Sequence, residues 1–267
     1  MKWTICVVAL LVSSISTAAQ PENKVVRLGS TTSVKASGLL VLLVPAFERD
    51  TGYRLQTDAV GSGKALQLAR EGRYDVLIVH APAAEQKLID QGYADRRTPF
   101  MRNSFLIVGP PQDPAHIKGT NDAREALRRI EATKSLFISR ADDSGTHQKE
   151  LALWKASGIE PLGSWYYEAG MPMDAVLKLA NERQGYTLID NGTWLANLKT
   201  SRLSALVEDL EHLGNTYSIV TMSRKQLPQL NHAGAAAFSK WLLSAKGNSI
   251  IRGMIVEGEP LFSLISP

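Results

Sequence analysis

The sequence predicts an α/β protein of two lobes, each an open and mainly parallel sheet flanked by helices. Three observations support this fold class. Short apolar segments of strand length alternate with amphipathic segments of helix length along residues 20–267. Repeated βαβ units of this kind place helices on both faces of a sheet. The chain is also long enough for two lobes of ordinary size.

The first half of the chain contains three predicted strand–helix pairs. The predicted strands are 24–28, 55–60 and 74–79, and the helices that follow them are 37–49, 64–71 and 83–91. Pro45 lies inside the first of these helices, where it should kink the helix or begin a new turn.

The second half repeats the alternation. The predicted strands are 105–108, 136–139, 185–189 and 217–222, and the predicted helices are 122–133, 148–157, 175–182 and 233–252. No linker rich in Pro, Gly or Ser separates the two sets, so we expect the chain to cross between lobes through ordered segments at 103–109 and 213–222. The predicted bounds are 1–19 for a signal peptide, 20–102 with 217–267 for lobe 1, and 103–216 for lobe 2.

The N-terminus has the layout of a secretory signal peptide. Lys2 precedes an apolar run from Ile5 to Val12, and small residues then lead to Ala19, where cleavage is expected. The apolar run is shorter than the roughly 20 residues that a membrane-spanning helix requires. Cys6 is the only cysteine and lies within this segment, so the mature chain should lack disulfides and cysteine-bound metals. We therefore expect a periplasmic protein that is not inserted in the membrane.

Charge argues against nucleic acid as a partner. The chain has 30 Lys and Arg against 26 Asp and Glu, a formal net charge of +4, and its basic residues are scattered. This modest positive excess suits an anionic small ligand without establishing one.

Three junctions between a predicted strand and a helix share one composition. They run from Gly29 to Ser33, from Gly61 to Lys64 and from Arg140 to His147, and we call them the hydroxyl junctions. Helix N-termini carry unpaired N–H groups and partial positive charge, glycine permits close approach, and Ser and Thr add O–H donors. Because open α/β sheets bind ligands at this edge, the junctions predict an anion site. A single junction would equally serve as an ordinary N-cap.

Other chemistries fit less well. The segment from Gly61 to Lys64 lacks the remaining P-loop residues, since Asp58 and Ala65 occupy the positions that need Gly and Ser or Thr. The five histidines show no metal-ligand spacing, and no nucleophile elbow is present. No catalytic residue and no directly bound metal cation are therefore expected.

Further motifs stand in order along the mature chain. They are Thr31 to Ser33 with Ser37 to Leu40, Pro45 to Glu48, Thr51-Gly52, Gly63 to Leu66, Asp75 to His80, Arg140 to His147, Tyr186 to Leu188 and Gly192 to Trp194. In these motifs the chain resembles the TupA family, the tungstate-binding proteins of bacterial ABC importers. The resemblance implies a type II periplasmic binding protein fold with the ligand in a cleft between the two lobes. The implied ligand is tungstate, with molybdate as a near isostere. It also implies an ABC permease at the inner membrane as partner, and no cofactor.

The resemblance also assigns the site residues. They are Thr31, Thr32, Ser33, Ser62, Arg140, Ser144, Gly145 and Thr146, with Gly145 donating through its backbone N–H. Pro172 departs from the glycine-richer family pattern at residues 170–173 and removes one possible N–H donor. We expect Asp142 or Asp143 to cap the helix or to orient Arg140, and to point away from a tungstate ligand.

Two alternative functions stay open. Arg140, Asp142 and Ser144 also resemble the phosphate-binding proteins, in which an Asp accepts the phosphate proton, and sulfate belongs to the same ligand class. An enzyme on the same bilobal fold would need a nucleophile or an acid–base pair facing the cleft. The favoured hypothesis is a monomeric protein that binds a tetrahedral oxyanion.

Overall fold

A computed structural model describes residues 24–209 and 211–265 of the chain. The predicted signal peptide, with Cys6 and the cleavage point after Ala19, lies outside these residues. Within the described part of the chain, no helix is both long enough and apolar enough to cross a membrane.

The described residues form an alternation of strands and helices. The strands are β1 (Val25–Thr31), β2 (Arg54–Val60), β3 (Val76–Val79), β4 (Ala94–Gly109), β5 (Phe137–Ser139), β6 (Tyr166–Glu168), β7 (Thr187–Asp190), β8 (Ser204–Val207), β9 (Gly214–Met222), β10 (Ile255–Val256), β11 (Glu259–Pro260) and β12 (Ser263–Leu264). The helices are α1 (Thr32–Ala36), α2 (Leu39–Thr51), α3 (Ser62–Arg70), α4 (Pro82–Asp90), α5 (Ala123–Ala132), α6 (Gly145–Ala156), α7 (Met173–Arg183), α8 (Asn191–Asn197), α9 (His232–Leu242) and α10 (Ala245–Arg252).

The predicted α/β fold class is confirmed, but the main sheet is mixed rather than mainly parallel. Its order is β12-β4-β9-β3-β1-β2, with β7 and β8 also paired to β4. β1 runs parallel to β2 and β3, whereas β9 runs antiparallel to β3 and β4. β9 thus lies between two strands, β3 and β4, that both run in the opposite direction to it.

β4 is much longer than the strand predicted at 105–108. Its first half pairs with β9, and its second half, from Phe105 onward, pairs with β7 and β8. The segment 94–104 has little apolar alternation, and its strand conformation depends on pairing with a distant part of the chain. Asn103 of β4 pairs with Asn215 of β9, next to the point where the partners of β4 change.

The hydrophobic cores fall into two groups along the chain. Two clusters contain only residues between 26 and 101 and between 217 and 262, which we call the first core unit. The other two clusters contain only residues between 105 and 213, the second core unit. The exact domain bounds 20–102, 103–216 and 217–267 stay a prediction.

Aromatic packing anchors the helices that lead to the site. In the first core unit the buried Phe47 of α2 packs edge-on against Phe238 and Trp241 of α9, with ring centroids 5.2 and 5.5 Å away. In the second, Trp154 of α6 packs against Phe137 of β5 at 5.1 Å. Burying one such side chain contributes roughly 1.5–3 kcal/mol. These contacts hold α2 against α9 and α6 against β5.

Candidate functional site

The hydroxyl junctions lie where strands end and helices begin. β1 ends at Thr31 and α1 begins at Thr32, β2 ends at Val60 and α3 begins at Ser62, and α6 begins at Gly145 after β5. The first N–H groups of each helix lack partners inside the helix and carry the positive end of its dipole.

Two of the predicted donors also serve as N-caps. The Thr31 side chain accepts a hydrogen bond from the N–H of Val34, and the Ser144 side chain accepts one from the N–H of His147, at 3.4 and 3.3 Å. The ordinary capping role is therefore real at these two positions. α3 follows Gly61 and has no side-chain cap.

A cavity of about 160 Å³ lies between the two core units, and we call it the central cavity. This volume is several times the roughly 30 Å³ that one water molecule occupies in the liquid. Its polar wall combines hydroxyl, amide, imidazole and guanidinium groups. The residues that carry these groups are Thr32, Ser33, His80, Arg140, Thr146, Thr193 and Asn215.

The central cavity brings together four of the eight predicted site residues. Thr32, Ser33, Arg140 and Thr146 are on its wall, whereas Thr31, Ser62, Ser144 and Gly145 are not. Thr31 is buried behind the wall, and its Oγ1 lies 2.9 Å from the Oγ of Ser33.

Gly145 packs directly against an imidazole of the first core unit. A Cβ atom at Gly145 would lie only 2.6 Å from Cε1 of His80. Glycine at this position therefore allows the start of α6 to approach the end of β3.

Arg140 is held in place by Asp142. Nε of Arg140 donates to Oδ2 of Asp142 at 3.2 Å, and Nη2 donates to the same oxygen. The other carboxylate oxygen accepts from the N–H of Ser144 at 3.2 Å. Burial favours a higher pKa for Asp142, but the bonds from Arg140 and Ser144 outweigh it and the pKa is lowered. Asp142 thus stays ionised and orients Arg140, whose side chain is 14% exposed.

The loop between Arg140 and Ser144 has an unusual backbone. Ala141 and Asp143 both have positive φ angles, 46° and 55°, a conformation uncommon outside glycine. Asp143 also accepts a bond from Gln148. The tight loop brings both Arg140 and Thr146, in the first turn of α6, to the wall of the central cavity.

A hydrogen-bonded network that the sequence did not predict lies behind Ser33. The Ser33 Oγ lies 3.2 Å from Nε2 of His80, and Nδ1 of His80 lies 2.9 Å from Oδ1 of Asn215. The Asn215 amide donates to Oδ1 of Asn103 at 2.8 Å and to the Tyr217 hydroxyl at 3.0 Å. Burial lowers the pKa of His80 to about 4, against the opposing effect of its bond to Asn215. The imidazole is therefore neutral near pH 7.

Two carboxylates that were not predicted from the sequence also lie on the wall of the central cavity. Asp190 caps α8, accepting bonds from the N–H and Oγ1 of Thr193 at 2.9 and 2.7 Å. Asp174 lies in the first turn of α7 and is exposed. Pro172 is the N-cap residue of α7, so the loop 170–173 reaches the cavity through the beginning of this helix. The strand-to-helix pattern could have indicated Asp190, since α8 directly follows β7.

Two hydroxyl groups are buried without partners. Among the described residues, the Oγ atoms of Ser30 and Ser62 are the buried side-chain atoms that have no hydrogen bond. An unsatisfied buried hydroxyl costs about 1–3 kcal/mol. Ser62 is a predicted donor, whereas Ser30 was not predicted as a site residue.

One group of potential metal ligands occurs in the described part of the chain. Asp122, Asp209 and His212 lie close together, but protein donors already occupy them. Arg124 donates to Oδ1 of Asp122 at 3.0 Å, and His212 contacts Oδ2 of Asp209 at 2.7 Å. The group is a capping and ion-pair cluster outside the central cavity.

Comparison with known proteins places the chain in a family. The profile of the PBP superfamily domain matches residues 18–246. The tungstate-binding protein TupA of Peptoclostridium acidaminophilum is 41% identical over 97% of this chain and 95% of its own length.

Solved structures give the same result. The tungstate-binding protein TupA from Desulfovibrio alaskensis G20 is 37% identical, with a TM-score of 0.82 over 91% of this chain and 99% of its own. The tungstate ABC transporter structure from Geobacter sulfurreducens is 39% identical, with a TM-score of 0.73 over 85% of this chain and 97% of its own. The chain belongs to the TupA family of tungstate-binding proteins, within the PBP superfamily.

Proposed function

We propose that this protein captures tungstate in the periplasm and delivers it to the permease of an ABC importer. One observation carries the proposal beyond family membership. The central cavity combines hydroxyl donors of the first core unit, such as Ser33, with Arg140 and Thr146 of the second. We propose that the eight predicted residues form the oxyanion site. Thr32, Ser33, Arg140 and Thr146 would bond the anion from the cavity wall. Ser62, Ser144 and the Gly145 N–H would add donors on closure, and Thr31 would support Ser33 from behind.

A tetrahedral dianion presents only acceptor oxygens, so a good site offers only donors. Nanomolar affinity requires about −12 kcal/mol, and a hydrogen bond to a charged group contributes roughly 1.5–3 kcal/mol. About six to eight such bonds are therefore sufficient after binding costs. A guanidinium has five N–H groups, and Asp142 takes two from Arg140, which leaves three for the oxyanion. Hydroxyls and helix N-termini supply the rest.

Donors on both core units favour a closed form when the anion binds. A ligand that contacts both sides of a cleft shifts the population toward closure by its differential affinity. β4 and β9 would act as the hinge, because they connect the two units. We propose that the permease recognises the closed form of a monomeric binding protein, since one chain supplies the entire cavity wall.

We propose a binding protein rather than an enzyme. Ser33, His80 and Asn215 have the connectivity of a nucleophile, a base and an orienting group. Burial lowers the pKa of His80 to about 4, which makes it a poor base for activating a serine near pH 7. The network therefore suits hydrogen bonding better than acyl transfer.

Hydrogen phosphate is a second candidate ligand because of Asp174. Asp142 already accepts from Arg140 and Ser144, whereas the Asp174 carboxylate on the cavity wall could accept the proton of a monohydrogen phosphate. The same carboxylate would repel tungstate, which has no proton to share.

A thermal-shift panel tests the proposal. Tungstate, and molybdate to a similar degree, should raise the melting temperature far more than sulfate, phosphate or chromate at equal concentration. A ligand at 1,000 times its dissociation constant stabilises the folded state by about 4 kcal/mol. A larger shift with phosphate would favour the second candidate, and no shift with any oxyanion would contradict both.

A further inference from the structure

We propose that His80 is a positioning residue that takes up a proton when the oxyanion binds and thereby turns the Ser33 hydroxyl toward the anion. The inference rests on the proposed function and adds a mechanism of proton-linked binding to the same site.

The ligand-free network fixes the direction of each hydrogen bond. Because the Asn215 amide nitrogen donates to Asn103 and Tyr217, its oxygen must accept, so the neutral His80 carries its hydrogen on Nδ1. Nε2 of His80 is then an acceptor, and Ser33 must donate to it.

This arrangement leaves Ser33 badly oriented for an anion. Its single hydroxyl hydrogen points at His80, and Thr31, which accepts from the N–H of Val34, directs its own hydrogen at the Ser33 oxygen. The Ser33 oxygen therefore presents a lone pair to the cavity, which repels an oxyanion. If the Ser33 hydrogen simply rotated away, two acceptors would face each other across 3.2 Å.

A proton on Nε2 removes the conflict. It comes from solvent, converts Nε2 into a donor to the Ser33 oxygen, and frees the Ser33 hydrogen for an oxygen of the anion. Nδ1 keeps its bond to Asn215, so the hinge-side network is unchanged. The Nε2–H bond forms as an O–H bond of a solvent hydronium ion breaks, and no other covalent bond changes.

The surroundings of His80 make the proton affinity depend on the ligand. In the free protein, burial lowers the pKa of the imidazole to about 4. One opposite charge at about 4–6 Å shifts a pKa by roughly 1–3 units, so an adjacent dianion moves that of His80 toward neutral pH. The start of α6 at Gly145, packed on the ring, contributes no ionisable group there, and the positive end of its dipole helps to keep the imidazole neutral in the free protein.

Four other charged or titratable groups of the described residues lie on the cavity wall or against the imidazole ring. Asp174 and Asp190 on the cavity wall favour the imidazolium, and Arg140 opposes it but is paired with Asp142. Tyr217 stacks on the imidazole with ring centroids 4.8 Å apart, and burial raises its pKa, so it stays protonated and neutral. None of these groups supplies the proton, which must come from solvent.

Titration calorimetry measures how many protons are taken up for each tungstate bound. Sodium tungstate is titrated in two oxyanion-free buffers, one of low and one of high ionisation enthalpy. At pH 6 the wild-type protein should take up close to one proton per tungstate, and its dissociation constant should rise about tenfold from pH 6 to pH 8. The His80→Gln variant offers an N–H donor without titrating. It should bind with no proton uptake and with a dissociation constant that changes less than about twofold over the same range.

His232→Gln is the matched control. This histidine begins α9, forms a hydrogen bond with the Leu227 carbonyl, and is not on the wall of the central cavity. It should keep the wild-type proton count. Wild-type binding of tungstate without proton uptake overturns the role of His80 and leaves the proposed function standing. No binding of tungstate at all contradicts the proposed function. The wild-type proton count decides the matter even if His80→Gln folds poorly.

Discussion

Replacing Arg140 should weaken oxyanion binding more than any single hydroxyl replacement. Its side chain is 14% exposed, and two of its five N–H groups are bound to Asp142. Arg140→Ala removes the remaining donors and leaves the Asp142 carboxylate without its cation. Truncating one partner of a buried, hydrogen-bonded charge pair costs roughly 2–5 kcal/mol, so we expect a loss of about 2–4 kcal/mol, or roughly 30- to 1,000-fold in affinity. Arg140→Lys keeps the charge but loses the planar fork, so its loss should be smaller.

Asp142 provides an internal check of the same reasoning. Asp142→Asn alone should leave tungstate affinity within about tenfold of wild type, because this carboxylate orients Arg140 and does not touch the anion. The double variant Arg140→Ala with Asp142→Asn should bind more tightly than Arg140→Ala, because it removes the uncompensated negative charge.

Titration calorimetry with tungstate measures these affinities, and thermal unfolding verifies that each variant folds. Arg124→Ala is the matched control, because Arg124 forms an equivalent pair with Asp122 outside the central cavity. It should bind tungstate like wild type. Wild-type affinity in Arg140→Ala would refute the placement of Arg140 in the site, and a loss of several kcal/mol in Asp142→Asn would indicate that this carboxylate touches the ligand.

Three further variants test other parts of the site and fold. Ser62→Ala removes a buried hydroxyl that lacks a partner, so the free protein should unfold at the same or a higher temperature while tungstate affinity falls about 10- to 100-fold; unchanged affinity would exclude Ser62 as a donor. Asp174→Asn should tighten tungstate binding by up to about tenfold and weaken phosphate binding, and calorimetry with both anions would contradict this if tungstate binding weakened. Glu150 is buried, and burial raises its pKa despite bonds from Tyr166, Ser139 and Trp154. Because the folded pKa exceeds the unfolded one, wild-type stability falls as pH rises above the ordinary carboxyl range. The melting temperature of Glu150→Gln minus that of wild type should therefore be more positive at pH 8 than at pH 4. An equal difference at both pH values would refute the buried-charge explanation.

Local sequence patterns predicted much of the fold. Strand–turn–helix signals predicted where α3 and α5 begin to within a few residues, since N-terminal residues and apolar periodicity are local properties. The mixed sheet was not predictable in this way. The polar first half of β4 becomes a strand only through its pairing with β9, more than a hundred residues later.

The site shows the same division between local and long-range features. The segment from Arg140 to Thr146 supplies a strand end, a tight loop and a helix start, and both of its end residues line the central cavity. The network through His80 and Asn215 joins residues 135 positions apart, and no spacing rule connects them. Asp174 was missed for a different reason, because a carboxylate is an unexpected neighbour for an anion.

The most decisive test of the proposed oxyanion site is a crystal of the protein grown with tungstate and measured at the tungsten absorption edge. The anomalous peak should lie in the central cavity, with donors of Ser33 and Arg140 at hydrogen-bonding distance from the oxyanion and with His80 behind Ser33. A peak elsewhere, or an empty cavity at a tungstate concentration that saturates the TupA relatives, would contradict the account.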